Sequence, residues 1–472
     1  MKTECNTKQL EFHALERREV IGKFDGGAIS SDGGCILLRE VEKRTGILKR
    51  LAECFTDERH PELIEHSVDA LIKQRVYGIA LGYEDLNDHD QLRHDPLLAV
   101  LCDKSDPLGN DRRKEQDKGK ALAGKSTLNR LELSQQGQAK ADRYKRIGGD
   151  TQAMDALMLD IFIESFSDTP KQLVIDMDTT DDPLHGQQEG RFFHGYYNEY
   201  CYLPLYILCG DHLLCARLRT ADTEDIEGTI NEVERIVNQL RQHWPEVDII
   251  LRADSGFCRE PLMHWCEGQD KEVKYVFGLA KNTRLNTMIE QQMSEAKLMY
   301  EETGKAARCY NDFTYQTLTS WTVARRVVGK AEYIGKENPR YIVTNLSPKD
   351  YESQKLYEEL YCARGDMENR IKEQQLCLFA DRTSTSLMHS NQLRLYFSSF
   401  AYLIMSALRR LGLSNTELEK AQCSTIRSKL LKIGTHINIT VRKVWLSFSQ
   451  SYPYHTVFTS VLRKLQLLPL RI

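Results

Sequence analysis

Long apolar runs are missing from this chain. Nowhere in its 472 residues does a stretch approach the roughly 18 uninterrupted apolar residues of a membrane span. The opening segment, MKTECNTKQLEFHALERREV, lacks the apolar centre of a secretory leader. Paired cysteines are missing too: thirteen are scattered without a single CxxC. Cys258 and Cys266 come nearest to a cluster and read as small buried hydrophobes. A disulfide framework is therefore not expected, and a reducing, cytoplasmic compartment is. There are no internal repeats and no low-complexity segment. What remains is a soluble globular composition, 41% hydrophobic and 28% charged, in a chain long enough for two to four domains.

An excess of positive charge is also lacking. The net −4 speaks against a nucleic-acid partner until its distribution is read. From Asn391 to Ile472 there are twelve lysines and arginines against two glutamates and no aspartate, a net +10. From Lys104 to Arg146 twelve basic residues face six acidic ones, a net +6. Two basic lobes around an acidic centre suit phosphate-backbone contacts flanking a metal site. Solvated helix faces are the plainer explanation of such runs.

Hydrophobic periodicity gives the organisation. Residues 1–165 begin with a Gly-rich, turn-like VIGKFDGGAISSDGG and then read as mainly helical, with Pro61 and Ser126 as helix-start signals. From Lys171 strands take over: LVIDMD, YCYLPLYILCG and HLLCARLRTA, then a helix (TEDIEGTINEVERIVNQLRQHW). A strand (VDIILRADSGF), a helix and a strand (VKYVFGLA) follow. That order predicts an α/β fold with a ribonuclease-H-like core, strands one to three antiparallel and four and five parallel. The expected boundaries are an N-terminal region over 1–165, which the basic run Lys104–Arg146 makes the candidate for DNA-binding contacts, and the ribonuclease-H-like core over 166–284 and 349–390. A β-rich insertion over 285–348 and a basic, helical C-terminal region over 391–472 complete the division.

Acids stand at telling places in this pattern. Asp178 ends the first core strand and Asp254 the fourth, positions adjacent in such a core although 76 residues apart. Glu368 lies in the helix after the insertion. Magnesium prefers hard oxygen ligands on a rigid backbone, and two such ions are a common device for phosphodiester cleavage. Asp176 and Asp178 share a strand face, so either could be the first acid. In the Glu368 helix, Tyr361, Arg364, Glu368 and Lys372 fall on one stripe. There a metal-binding acid would sit between cations able to hold phosphates. An ordinary salt-bridged surface helix has the same spacing.

The segments IDMDTTDDPLHGQQEG, LRADSGFCRE, YCARGDMENRIKEQQLCLFADRTS, NQLRLYFSSFAYLIMSALRRLG and KQRVYGIALGYEDLNDHDQLRHDP resemble those of bacterial insertion-sequence transposases of the thirteen-eighty family. That family sits among the cut-and-paste DDE transposases, and the resemblance covers nearly the whole chain. It implies cleavage at transposon ends and strand transfer into target DNA, with Asp178, Asp254 and Glu368 holding two Mg2+ ions for which Mn2+ can substitute. It further implies double-stranded DNA with terminal inverted repeats as partner and a homodimer on that DNA, with nucleoid association and no membrane. The group's DTT pattern favours Asp178 over Asp176. Its Tyr-x2-Arg-x3-Glu-x6-Lys signature is matched by Tyr361, Arg364 and Glu368, but Gln375 replaces the lysine; Lys372 is the candidate substitute. In hairpin-forming relatives an aromatic residue of the insertion stacks on a flipped base, and Trp321 is the candidate here, a buried sheet tryptophan being the alternative. Two rival functions remain: a metal-dependent nuclease without strand transfer, and a catalytically silent DNA-binding derivative.

Three further signals weigh less. Gly119 to Ser126, GKALAGKS, has the letters of a phosphate loop, but the preceding DRRKEQDK cannot be a core strand. A basic loop with Lys125 facing DNA is expected instead. NDHDQLRHDP could suggest a phosphohydrolase, yet a helix–turn junction explains it better. HGQQEGRFFHGYY reads as a loop over the active site, with His185 and His194 placed behind the metal ligands and no chemistry assigned.

Overall fold

The computed structural model describes residues 9–133, 146–224 and 226–471. Contacts divide the chain into two compact units, one over 150–399 and one combining 1–149 with 400–472.

The 150–399 unit is built on an eight-stranded sheet. Its strands are β1 (Gln172–Thr179), β2 (Leu205–Cys209), β3 (His212–Arg217), β4 (Asp248–Ala253), β5 (Lys274–Leu279), β6 (Ala307–Tyr315), β7 (Arg325–Tyr333) and β8 (Arg340–Thr344). Their order across the sheet is β3-β2-β1-β4-β5-β8-β7-β6. β1 runs antiparallel to β2, and β2 to β3, whereas β1, β4 and β5 are mutually parallel. This is the pairing that the order of elements predicts. The β-rich segment is not a separate sheet: β8 pairs antiparallel with β5, and β7 and β6 extend the same surface.

Period-2 alternation decides what each face carries. Leu173, Ile175 and Met177 of β1, with Ile249, Leu251 and Ala253 of β4, enter one large apolar core. Helices α1 (Thr151–Ile163), α2 (Thr229–His243), α3 (Glu260–Glu267) and α4 (Glu290–Thr303) also contribute to it. The intervening residues Val174, Asp176 and Asp178 of β1, and Ile250 and Arg252 of β4, therefore point to the other face. There a smaller core joins Ile250, Val276, Val328 and Ile342 to Leu356 and Tyr357. Those two belong to a helical stretch from Ser353 to Cys377 whose regular part is α5 (Gly365–Lys372). Wide i→i+5 turns at Leu356–Tyr361 and Glu373–Cys377 flank a tight turn at Cys362–Arg364 and α5. Such turns are a recurrent departure near functional sites.

Two features dock this stretch. Arg252 Nε and Nη2 donate to both oxygens of Asp176 at 2.5 and 2.7 Å, while Nη1 donates to the Leu360 carbonyl at 2.5 Å. Adjacent strands and the helical stretch are thereby joined by one guanidinium. Gly278 of β5 lies under Tyr361, where an added Cβ would come within 2.6 Å of the tyrosine hydroxyl and 3.0 Å of the Ser255 nitrogen. Only a residue without a side chain fits between them.

In the other unit, an exposed hairpin pairs Leu10–Leu15 with Arg18–Gly22, its second strand running into the first residues of the Gly-rich segment read as turns. Pro61 begins a single 3-10 turn; the long helix starts at Val68, capped by Ser67 accepting from the Ala70 nitrogen. Likewise Lys125–Leu131 is preceded by Gly124 at its N-cap, so Ser126 is inside the helix. The region beyond 391 is not purely helical. After the helix Met388–Leu408 it forms strands Thr435–Ile439 and Val444–Phe448, the former also pairing with Ile29–Ser30. β-Branched residues there alternate with polar ones and favour strands.

Arg252→Met should leave Asp176 buried without its partner and cost about 3–5 kcal/mol in denaturant unfolding. Adding Asp176→Leu should recover most of that loss. A double variant no more stable than the single one would show that Asp176 has other support.

Candidate active site

β1 and β4 are parallel neighbours in register, Arg252 opposite Asp176 and Ala253 opposite Met177. Asp178 and Asp254 each come one residue beyond that last pair, so the same strand ends deliver both. They line a cleft of ≈ 570 Å³ together with Glu368, Ile371, Lys372 and Gln375 of the helical stretch and His194, Tyr196 and Tyr197. Three acids separated by up to 190 residues thus face one space.

Each acid has a distinct setting. Asp178 is mostly buried; it accepts from the Thr179 nitrogen at 3.0 Å and from Arg364 Nη1 at 2.9 Å. Burial pushes its carboxyl up to about 6, opposed by the Arg364 charge and reinforced by Asp254. Asp254 accepts from the Gly256 nitrogen at 2.9 Å, a turn that fixes its side chain just past β4. Glu368 is exposed and pairs with Lys372 at 2.6 Å, which holds it below the usual carboxylate range. Asp176 does not line the cleft; both its oxygens are taken by Arg252.

Gln375, where the family signature has lysine, also lines the cleft. It donates to the Asp181 carbonyl at 3.1 Å and to Asp182 Oδ1 at 3.0 Å. A neutral donor there ties the helical stretch to the segment leaving β1. Lys372, one turn back, is the exposed cation at this end of the cleft. The stripe is therefore split: Arg364 and Lys372 face acids, whereas Tyr361 sits half-buried over Gly278. Among the described residues, no three His, Cys, Asp or Glu side chains form a ready-made metal cluster. Oxygen donors are present, and cationic side chains face two of them.

Other sequence candidates lie elsewhere. Trp321 is a correction: it is 6% exposed, sits in the loop before β7, and packs edge-on against Tyr315 at 5.8 Å with Arg325 over its ring. No ring face is offered to a base, because the large apolar core takes it up. Lys125 Nζ donates to Asn87 at 2.9 Å and lies 3.6 Å from Asp90, so its charge is partly engaged. The residues before it form a 3-10 turn and a loop with no strand, unlike a phosphate loop. Residues 134–145 of that basic run lie outside the described residues. His89 is fully buried against Gln74, 3.1 Å away, and burial pushes it down to about 3, which fits a structural histidine. His194 lines the cleft, but His185 is exposed outside it. The sequence reading missed Tyr196 and Tyr197 as cleft residues; the aromatic density of RFFHGYYNEYCY was the available signal.

Comparison with known proteins bears on the whole chain. Among curated proteins none matches. Among solved structures the chain is similar, at 11% identity and a TM-score of 0.38, to a piggyBac transposase in a synaptic complex with hairpin DNA, over 85% of this chain and 80% of that one. The family model described as transposase DDE domain group 1 matches residues 12–470, so this chain belongs to the DDE transposases.

Proposed function

We propose that this chain cuts DNA at the ends of a mobile element and joins the exposed 3′-hydroxyl to target DNA, with Asp178, Asp254 and Glu368 as its acids. What carries the reading is the convergence of all three carboxylates on one cleft, two of them from the ends of adjacent parallel strands. The strand order, antiparallel through β1 to β3 and parallel through β4 and β5, supports a ribonuclease-H-like core. The element would be a bacterial insertion sequence of the thirteen-eighty type. Pairing of two ends implies a homodimer on DNA. No helix among the described residues is long and apolar enough to cross a membrane, and the intended setting is the cytoplasm and nucleoid.

The donor set fits a hard divalent cation. Asp178 and Asp254 repel one another in a partly buried site, a cost that positive charge relieves. Asp178, Asp254 and Glu368 would hold Mg2+ ions, or Mn2+ in their place. When bound, they supply Lewis-acid activation of the attacking oxygen and neutralise charge on the phosphate. The chain's own residues do the remaining work. Arg364, released from Asp178, and Lys372, released from Glu368, grip non-bridging phosphate oxygens. Tyr361 and Gly278 set the height of the helical stretch over the strand ends. In cleavage, water oxygen bonds to phosphorus as the P–O3′ bond breaks, leaving the element's 3′-hydroxyl. In joining, that hydroxyl bonds to target phosphorus as the target's own P–O3′ bond breaks; its proton passes to solvent, and the leaving target O3′ takes one up to become a hydroxyl.

Asp178→Ala, Asp254→Ala and Glu368→Ala should each abolish cleavage of the element's terminal DNA with Mg2+ while leaving DNA binding nearly intact. Normal cleavage by any one would remove that residue from the site. Cut products that are never joined to target would favour the nuclease instead.

Lys372→Ala should unfold within about 1 kcal/mol of wild type, since an exposed pair contributes no more. Cleavage should nevertheless slow by about 10²-fold or more if the charge contacts the reacting phosphate. Unchanged cleavage would leave Lys372 as a surface partner of Glu368.

Asp178 also predicts a pH-dependent stability. Its folded-state value of about 6 lies above the ordinary carboxylate range, so the ionised form costs stability above pH 6. That cost fades as pH falls through about 6 towards the unfolded value. Asp178→Asn should thus be more stable than wild type at pH 7.5, by on the order of 1–3 kcal/mol, with the gap narrowing below pH 6 and closing near pH 4. Mg2+ should raise the melting temperature of wild type and not of the variant. A gap independent of pH would sink this account.

A further inference from the structure

The segment between β1 and β2 carries something that cleavage chemistry does not require. It forms a small sheet, Asp182–Pro183 with Glu199–Tyr202 and that strand with Phe192–His194, projecting as an aromatic arm. Its base is fixed, because Asp182, Cys201 and Tyr202 are buried and the Tyr202 hydroxyl donates to the Glu189 carbonyl. Its tip turns at Asn198, in the left-handed region at φ 57, whose nitrogen donates to the His194 carbonyl at 2.8 Å.

The rings on this arm are exposed. Tyr196 is 85% accessible, Phe193 53% and Phe192 43%. Tyr196 stands edge-on to Tyr197 at 5.0 Å, and Tyr197 lies 5.0 Å from His194, so the tip is a connected ring cluster. Arg191 covers Tyr200 at 3.9 Å. Tyr196, Tyr197 and His194 line the same cleft as the three acids. A chain held with its phosphate at Asp178 must therefore run beside these rings.

We propose that this arm is a stacking platform for unpaired bases of the DNA strand that enters the cleft, with Tyr196 as its principal ring. The inference rests on the reading of the cleft as a DNA-cleaving site. In duplex DNA each base has both faces covered by its neighbours, so an exposed ring gains little from it. An unpaired base offers a free face, and stacking on tyrosine is tolerant of sequence. Asp178 is mostly buried, and a single strand descends to it more readily than a duplex does. Lys372 lines the same cleft and Arg364 reaches Asp178 within it, so cationic groups stand near the path of a phosphate backbone.

The test is fluorescence anisotropy of the full chain in EDTA, with a labelled thymidine oligonucleotide and a labelled duplex of equal length. Tyr196→Ala should weaken single-strand binding at least about fivefold and leave duplex binding unchanged. Tyr196→Phe, which keeps the ring, should bind both like wild type. Equal losses on both probes, or none on either, would overturn the platform. Cleavage of terminal DNA by wild type, measured in parallel, separates the two ideas. Cleavage without the single-strand effect sinks the platform alone, and the single-strand effect without cleavage sinks the assignment of the acids.

Discussion

One guanidinium holds the geometry of this site. Arg252 binds both oxygens of Asp176 and the Leu360 carbonyl, and so joins two strands to the helical stretch that carries Glu368. Tyr361 over Gly278 and Gln375 on Asp182 add to this tie, but Arg252 alone joins both strands and the helical stretch through one side chain. Its cost is the burial of a charge pair, tolerated only because the hydrogen bonding is nearly complete. An apolar pair would pack more cheaply but would leave the Leu360 carbonyl without this donor. Two aspartates two residues apart on one strand face thus have opposite duties: Asp176 is saturated, while Asp178 remains open to the cleft.

That division also explains what the sequence could and could not disclose. Strand-end acids follow from period-2 alternation and from the order of strands and helices, both local patterns, so Asp178 and Asp254 were legible. Arg252 was not, because its meaning lies in a partner 76 residues away. The stripe of Tyr361, Arg364, Glu368 and Lys372 was drawn with 100° per residue, but the stretch includes wide and tight turns, so its members divide between two tasks. Of the two readings of Trp321 the buried one holds, and sequence could not choose between them because β-rich composition marks a strand neighbourhood without saying which rings the core absorbs. The arm reads in sequence as a loop over the active site with no chemistry of its own; its rings gain significance only when folding sets Tyr196 and Tyr197 in the cleft of the acids.

The cleft is also under electrostatic tension. Asp178 is buried enough to resist ionisation and is held in its charged form chiefly by Arg364. The same side chain is suited to bind phosphate. On the proposed function, a phosphate would compete with Asp178 for this guanidinium, which would couple the occupation of the acids by cations to the grip on DNA. Stability and activity are therefore opposed at this position, as is common where function needs a strained charge.

The wide turns around α5 have a consequence for how such a chain can change over time. Each adds a residue to a turn without lengthening the helix in proportion. If one residue were lost from a regular part such as Gly365–Lys372, with no wide turn to absorb it, whatever follows would rotate by about 100° about the helix axis, whereas the wide turn at Leu356–Tyr361 can take up such a change by tightening. Surface loops can gain or lose residues freely, but in α5 length itself is under constraint. Relatives of this chain should vary in the chemistry of this stretch far more readily than in its count of residues.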